Sequence, residues 1–138
     1  MKTIFLSAAL FSAAERAFNA RLRDALTAAG FAVLLPQEFP DGPSEVLFRQ
    51  CVEGIDKADL VVAVVEGTDV DSGVAFEMGY ARGTGKPIVA LRTDYRQAAD
   101  SGGLNLMLLH GATKCVFASE GDPLAAAVEA VREWAEGR

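Results

Sequence analysis

Apolar positions in this chain follow two rhythms that alternate from one end to the other. Short runs with almost no polar interruption occupy residues 2–7, 31–35, 59–66 and 86–92, with a shorter one at 115–118. Runs of this length read as strands, and the run at 59–66, apolar at successive positions, suits a parallel strand covered on both faces. Between the strands the apolar residues recur every three or four positions. Residues 13–29 place Phe18, Leu22, Ala25 and Leu26 on one stripe, and residues 44–58 do the same with Leu47, Cys51 and Ile55. Residues 74–81 form a third helix and 123–134 a last, amphipathic one. Gly30 stops the first helix, and the pair Gly83 and Gly85 stops the third. Residues 36–43 are a loop rich in Pro and Gly, 93–103 a polar stretch, and 104–109 a short apolar turn. This alternation predicts a single α/β domain over residues 1–138. Its sheet is doubly wound, five-stranded and parallel, in the order 2-1-3-4-5, with helices on both faces.

Composition narrows the function classes. A net charge of −6 argues against a nucleic-acid groove, which needs a basic stripe. No apolar run approaches the ~18–20 residues that span a bilayer. The first eleven residues resemble a short signal peptide but run straight into an amphipathic helix, so they read as a first strand. Cys51, Cys115 and the single His110 do not match zinc-site spacings, so no metal is expected. Both thiols are expected to be reduced, in the cytosol. Residues 7–11, Ser-Ala-Ala-Leu-Phe, stand where a dinucleotide fold carries its glycine fingerprint, and no Walker lysine motif exists. No cofactor is therefore expected.

The chemistry concentrates in residues 59–81. A buried strand ends in a turn carrying Asp69 and Asp71, and the next helix is apolar except for Glu77. Open α/β sheets bind ligands outside the carboxyl ends of their strands, where this helix begins. Asp71 and Ser72 read as helix caps, which leaves Glu77 unexplained. Glu77 is either a surface residue on a half-exposed helix or a carboxylate aimed at the cleft. The apolar neighbours Val74, Phe76 and Met78 favour the cleft, where a carboxylate serves as nucleophile or general acid–base. His110, beside Leu108 and Leu109, reads as structural, and Arg92, Asp94 and Tyr95 as rim residues of the cleft.

The run from Asp71 to Ala81, Asp-Ser-Gly-Val-Ala-Phe-Glu-Met-Gly-Tyr-Ala, resembles the signature of the nucleoside 2-deoxyribosyltransferases. Leu-Pro-Gln-Glu at 35–38, Ala-Asp-Leu-Val-Val at 58–62 and Asn-Leu-Met-Leu at 105–108 extend the likeness over most of the chain. The resemblance implies a doubly wound fold and transfer of a 2-deoxyribosyl group between nucleobases. It assigns Glu77 as the nucleophile that holds a covalent glycosyl ester, by the logic of a retaining glycosidase. Asp71, Ser72 and Gly73 then belong to the substrate pocket with Ser7, and Phe5 stands where many members carry a tyrosine near the nucleophile. Asn105, with Met107 beside it, falls where the family donates an asparagine across a subunit interface. Partners implied are a nucleoside, a nucleobase and a second copy of the chain.

Departures from the pattern touch the pocket. Cys51 stands where the family usually has an aspartate that protonates the leaving base, and a thiol is a weaker donor. It also fits as a small apolar residue on the stripe of Leu47 and Ile55. Ala8 and Ala9 replace the family's usual glycine-containing loop. The alternatives are an N-glycoside hydrolase acting on nucleosides or nucleotides, or a nucleoside-binding domain whose catalysis has decayed. The loop after the first strand offers a 5′-phosphate no arginine or lysine before Arg16. The apolar 104–109 segment is expected to pack against a partner with the third helix, giving at least a homodimer.

Overall fold

The computed structural model describes residues 1–96 and 103–138. The elements run β1 (Thr3–Ser7), α1 (Ala13–Ala28), β2 (Ala32–Leu34), a 3₁₀ turn (Pro36–Glu38), α2 (Ser44–Lys57), β3 (Leu60–Val64), α3 (Ser72–Gly83), β4 (Ile88–Arg92), α4 (Leu106–Gly111), β5 (Lys114–Phe117) and α5 (Pro123–Ala135). All strand pairs are parallel and the sheet order is β2-β1-β3-β4-β5, as the alternation of elements predicts. The chain reverses direction across the sheet between β1 and β3, which opens a crevice at their carboxyl ends.

Strand alternation divides the core into two layers. Ile4, Leu6, Val62, Val64, Val89 and Leu91 face α1 and α5, where Leu22, Leu26, Ala127 and Val131 meet them. Phe5, Val61, Ala63, Ile88 and Ala90 face the other way, onto Ile55, Val74, Met78 and Ala81 of α2 and α3. Every residue of β3 and β4 is buried, which is why these strands show no polar alternate positions. Each such aliphatic side chain contributes about 1.5–3 kcal/mol when fully withdrawn from water.

Local signals set the element ends. Ser12 and Glu15 form a reciprocal capping box at the start of α1. Gly30 and Gly85, with φ of 99° and 78°, provide the left-handed residues that follow α1 and α3. Three segments differ from the sequence reading. The 36–43 loop begins with a 3₁₀ turn, and α3 starts at Ser72, two residues before the expected 74–81 helix, with Asp71 as the cap the sequence reading expects. The apolar turn expected at 104–109 is the helix α4, capped by the Asn105 side chain on Met107 N. The polar stretch expected at 93–103 lies partly outside the described residues.

Close packing of α2 on β1 depends on Gly54. A Cβ there would stand 3.0 Å from Phe5 Cδ2 and 3.1 Å from Cε2. Phe5 is fully buried and its ring has no room to retreat. Gly54→Val is therefore expected to destabilise the protein by about 1–3 kcal/mol despite relieving a helix glycine. A melting curve unchanged from wild type would show that α2 packs more loosely than this.

Candidate active site

The carboxyl ends of the strands become polar at one level. Ser7 ends β1, Glu66 follows β3, and Thr93 follows β4. Alternation along β1 turns Ser7 to the same side as Phe5, toward α2 and α3. There the fully buried Ser7 donates through Oγ to Glu77 Oε1 at 2.8 Å. From α2 the Cys51 thiol approaches the same carboxylate closely enough to shift its ionisation. Sequence positions 7, 51 and 77 thus converge on one carboxylate at the sheet's switch point.

Glu77 is half-buried, and burial raises its pKa above the ordinary glutamate value. The Ser7 and Cys51 hydrogen bonds oppose that rise, while the nearby Asp71 charge adds to it. Burial, followed by the Glu77 charge, pushes the Cys51 thiol up to about 11. Cys51 is consequently a neutral, protonated donor near pH 7. Among the described residues no lysine, arginine or histidine pairs with Glu77.

Asp71 accepts from Val74 N at 3.1 Å and so fixes the first turn of α3. Gly73 makes this possible, since a Cβ there would stand 3.0 Å from Asp71 Oδ2. Ser72 and Gly73 are exposed at the mouth of the crevice. Phe5 is placed differently from a ligand-facing ring: it has no exposed surface and supports β1 from beneath. Asn105 and Met107 lie away from Glu77, on a cleft of about 760 Å³ between α3 and α4. Met107 is 72% exposed there. His110 is exposed and lines the same cleft, so it is no core histidine.

A second cleft of about 690 Å³ opens over the carboxyl ends of β1 and β3, bounded by Ala8, Ala9, Glu66, Asp69, Asp71 and Asp94. Glu77 lines neither cleft; it looks from α3 across the end of β1 toward α2. At the carboxyl end of β1 the buried Ser7 hydroxyl and the half-buried Glu77 carboxylate meet without a cation among the described residues. Asp94 lies on the rim as the sequence reading expects, and Asp69 on the turn beside it, whereas sequence reading missed Glu66. Its signal was the polar residue that ends a buried strand.

Arg92, expected at the rim, is buried beneath it with 2% exposure. Its Nη1 donates to Val65 O at 2.7 Å and its Nη2 to Gly67 O at 2.9 Å and Arg96 O at 3.0 Å. Gly67 N in turn donates to Asp94 Oδ2 at 3.1 Å. The turn that carries Asp69 and Asp71 is therefore stitched to the end of β4. Arg96 pairs with Asp94 and holds its carboxyl well below the usual range. Among the described residues, no group of His, Cys, Asp and Glu is arranged to hold a metal ion.

The raised pKa of Glu77 makes stability depend on pH with a definite sign. Below the unfolded value of about 4.3 the group is protonated in both states and burial costs no charge. As pH rises through the elevated folded value, the unfolded state releases its proton more readily and stability falls. Glu77→Gln keeps the shape without the charge. Its melting temperature should exceed that of wild type at pH 7, with the gap closing by about pH 4. A gap independent of pH would show that Glu77 is not held in a desolvated place.

Comparison with known proteins follows from this geometry. No curated protein sequence matches the chain. Among solved structures, the 2-deoxyribosyltransferase of Leishmania mexicana is 25% identical over 94% of this chain and 98% of its own, with a TM-score of 0.74. A 2-deoxyribosyltransferase of Bacillus psychrosaccharolyticus is 20% identical, covers 91% of this chain and 90% of its own, and superposes with a TM-score of 0.76. The CMP N-glycosidase of Clostridium botulinum shares 20% identity over 95% of this chain and 99% of its own, with a TM-score of 0.65. The family model described as nucleoside 2-deoxyribosyltransferase matches residues 4–126. The match takes in both the crevice and the Glu77 cluster, and the chain belongs to the nucleoside 2-deoxyribosyltransferase family.

Proposed function

We propose that this protein transfers a 2-deoxyribosyl group between nucleobases, with Glu77 as the nucleophile. The observation that carries this reading is the Glu77 carboxylate held by Ser7 Oγ at the switch point with no cation beside it among the described residues. Family membership and the enzymes of similar fold supply the reaction class.

The steps follow from the geometry. A Glu77 oxygen attacks C1′ of the bound deoxynucleoside as the C1′–N bond breaks. The bonding electrons pass to the departing base nitrogen, which takes up a proton. The result is a glycosyl ester on Glu77. An acceptor base then attacks C1′ through its ring nitrogen, loses its N–H proton, and the Glu77 carboxylate leaves. Attack by water instead gives free deoxyribose, which is the hydrolytic alternative. Ser7 orients the carboxylate through its hydrogen bond, and that interaction weakens as charge leaves the oxygen in the ester.

Charge on the rim favours nucleosides over 5′-monophosphates. The cleft beside Ala8 and Ala9 is bounded by Glu15, Glu66, Asp69, Asp71 and Asp94. Among the described residues its one cation, Arg96, already pairs with Asp94. A phosphate dianion here would meet like charge without a free guanidinium to bind it.

Incubating the protein with deoxyadenosine and a free acceptor base tests the reading. Base exchange is expected, and Glu77→Ala should reduce it on the order of 10³-fold or more. Deoxyadenosine 5′-monophosphate should react at least about tenfold less efficiently, equal to ~1.4 kcal/mol. Exchange by Glu77→Ala at the wild-type rate would place the chemistry elsewhere, and free deoxyribose as sole product would make the enzyme a hydrolase.

The same reading includes a homodimer. In α4, Leu106 and Met107 are exposed beside the α3–α4 cleft, and Asn105 uses Oδ1 for its own cap, leaving its amide nitrogen to donate outward. An apolar surface of this kind favours a covering subunit. If Asn105 completes the neighbour's site, mixing inactive Glu77→Ala and Asn105→Ala subunits should restore part of the activity, because a hybrid dimer holds one intact site. Absence of rescue after proven subunit exchange would remove Asn105 from the neighbour's site.

A further inference from the structure

A buried cation lies under the crevice with no anion to match it. Arg92 is 2% exposed, and among the described residues it makes no ion pair. Its Nε is buried without a hydrogen-bond partner among those residues. A charge withdrawn from water costs free energy unless it is paired, and apolar side chains often replace buried ions without loss of stability. The core alone gives no reason for a guanidinium at this position.

What Arg92 holds is the turn between β3 and α3. Its Nη1 donates to Val65 O and its Nη2 to Gly67 O, while Nη2 also donates to Arg96 O on the segment after β4. The next two residues grip the same turn. Thr93 donates through N and Oγ1 to the Glu66 carboxylate, and Asp94 Oδ2 accepts from Gly67 N. Residues 65, 66 and 67 are thus held one after another from the end of β4. Gly67, with φ of 88°, brings no side chain of its own to fix the bend. Four residues further on, Asp71 caps α3 through Val74 N. Glu77 stands on the helix that Asp71 starts, near enough for the Asp71 charge to act on it.

We propose that Arg92 is a positioning residue for the reaction at Glu77: its guanidinium fork fixes the β3–α3 turn, and the turn fixes Asp71 against Glu77. The inference rests on glycosyl transfer at Glu77 as proposed above. A guanidinium suits the task because its planar fork sends separate donors to separate carbonyls and never loses its charge. An ammonium carries the same charge at a single point and does not reproduce the fork. Arg92 hydrogen-bonds to backbone carbonyls on both sides of the crevice floor, so its influence on the carboxylates passes through the backbone that carries them.

Arg92→Lys separates positioning from mere support, because it keeps the charge and removes the fork. Glu77 is titrated through the carbon-13 signal of its carboxyl group. In wild type the Asp71 charge adds to the raised pKa. In Arg92→Lys the turn is freed, Asp71 draws away, and the Glu77 pKa should fall. Amide protons of residues 67–75 should exchange faster, while those of β1 and β3 keep their protection. In base exchange kcat should fall by about 10–10²-fold, the scale of a misplacement of about 1 Å, with KM changed less. Arg92→Ala removes the whole group. Millimolar guanidinium should then restore part of the rate and of the Glu77 titration, whereas urea, planar but neutral, should not. If Arg92→Ala does not fold, Arg92→Lys carries the test. A lowered melting temperature in Arg92→Lys with kcat and the Glu77 titration unchanged would make Arg92 a support only and overturn the proposal. Absence of base exchange in wild type, together with a lowered Glu77 pKa in Arg92→Lys, would sink the transferase reading and leave the hold of Arg92 on the site standing.

Discussion

The site depends on one uncompensated charge. Glu77 is held at the end of the sheet by a neutral donor, Ser7 Oγ, beside the neutral Cys51 thiol, with no cation paired to it among the described residues. A buried carboxylate is tolerated only where hydrogen bonds replace lost water. Neutral donors do this while leaving electron density on the oxygen, so the group stays basic, as its raised pKa reflects. A cation in contact would lower the pKa and with it the nucleophilicity. The same rim illustrates the alternative: Arg96 grips Asp94 and holds its carboxyl low. Within one crevice the fold keeps one acid poised and another neutralised.

Backbone constraints place those donors. Because β1 alternates, Ser7 must face the side that Phe5 faces, and Phe5 is fixed there by the absence of a side chain at Gly54. Asp71 sets where α3 begins and hence which turn of the helix Glu77 occupies. Arg92 then holds the preceding turn from below through the carbonyls of Val65 and Gly67. A guanidinium is suited to this because it stays protonated and can serve several carbonyls at once from a buried position. Positioning of Glu77 is thus distributed over β1, α2, the β3–α3 turn and the end of β4.

Much of this was legible in the sequence because the deciding interactions are local or periodic. Unbroken apolar runs mark β3 and β4, and Gly30 and Gly85 mark helix ends through their positive φ. Glu77 was found for a reason only partly correct. Its neighbour Phe76 is exposed, so the carboxylate is buried by β1 and α2 rather than by an apolar helix surface. Three features depended on tertiary contacts that no window of sequence contains. Helix α4 is a short segment that starts on its Asn105 cap and packs against α3. Arg92 is buried because alternation turns it inward beneath the turn it supports. Phe5, which occupies a position linked to the ligand by resemblance alone, is sealed under α2.

Cys51 bears on the same balance of charge. Burial holds its thiol up near 11, so it is neutral near pH 7 and adds no charge beside Glu77. An aspartate there would add a second carboxylate beside Glu77 and disfavour ionisation of both. A neutral thiol at this position avoids that repulsion and leaves the ionisation of Glu77 to be set by burial and the Ser7 hydrogen bond.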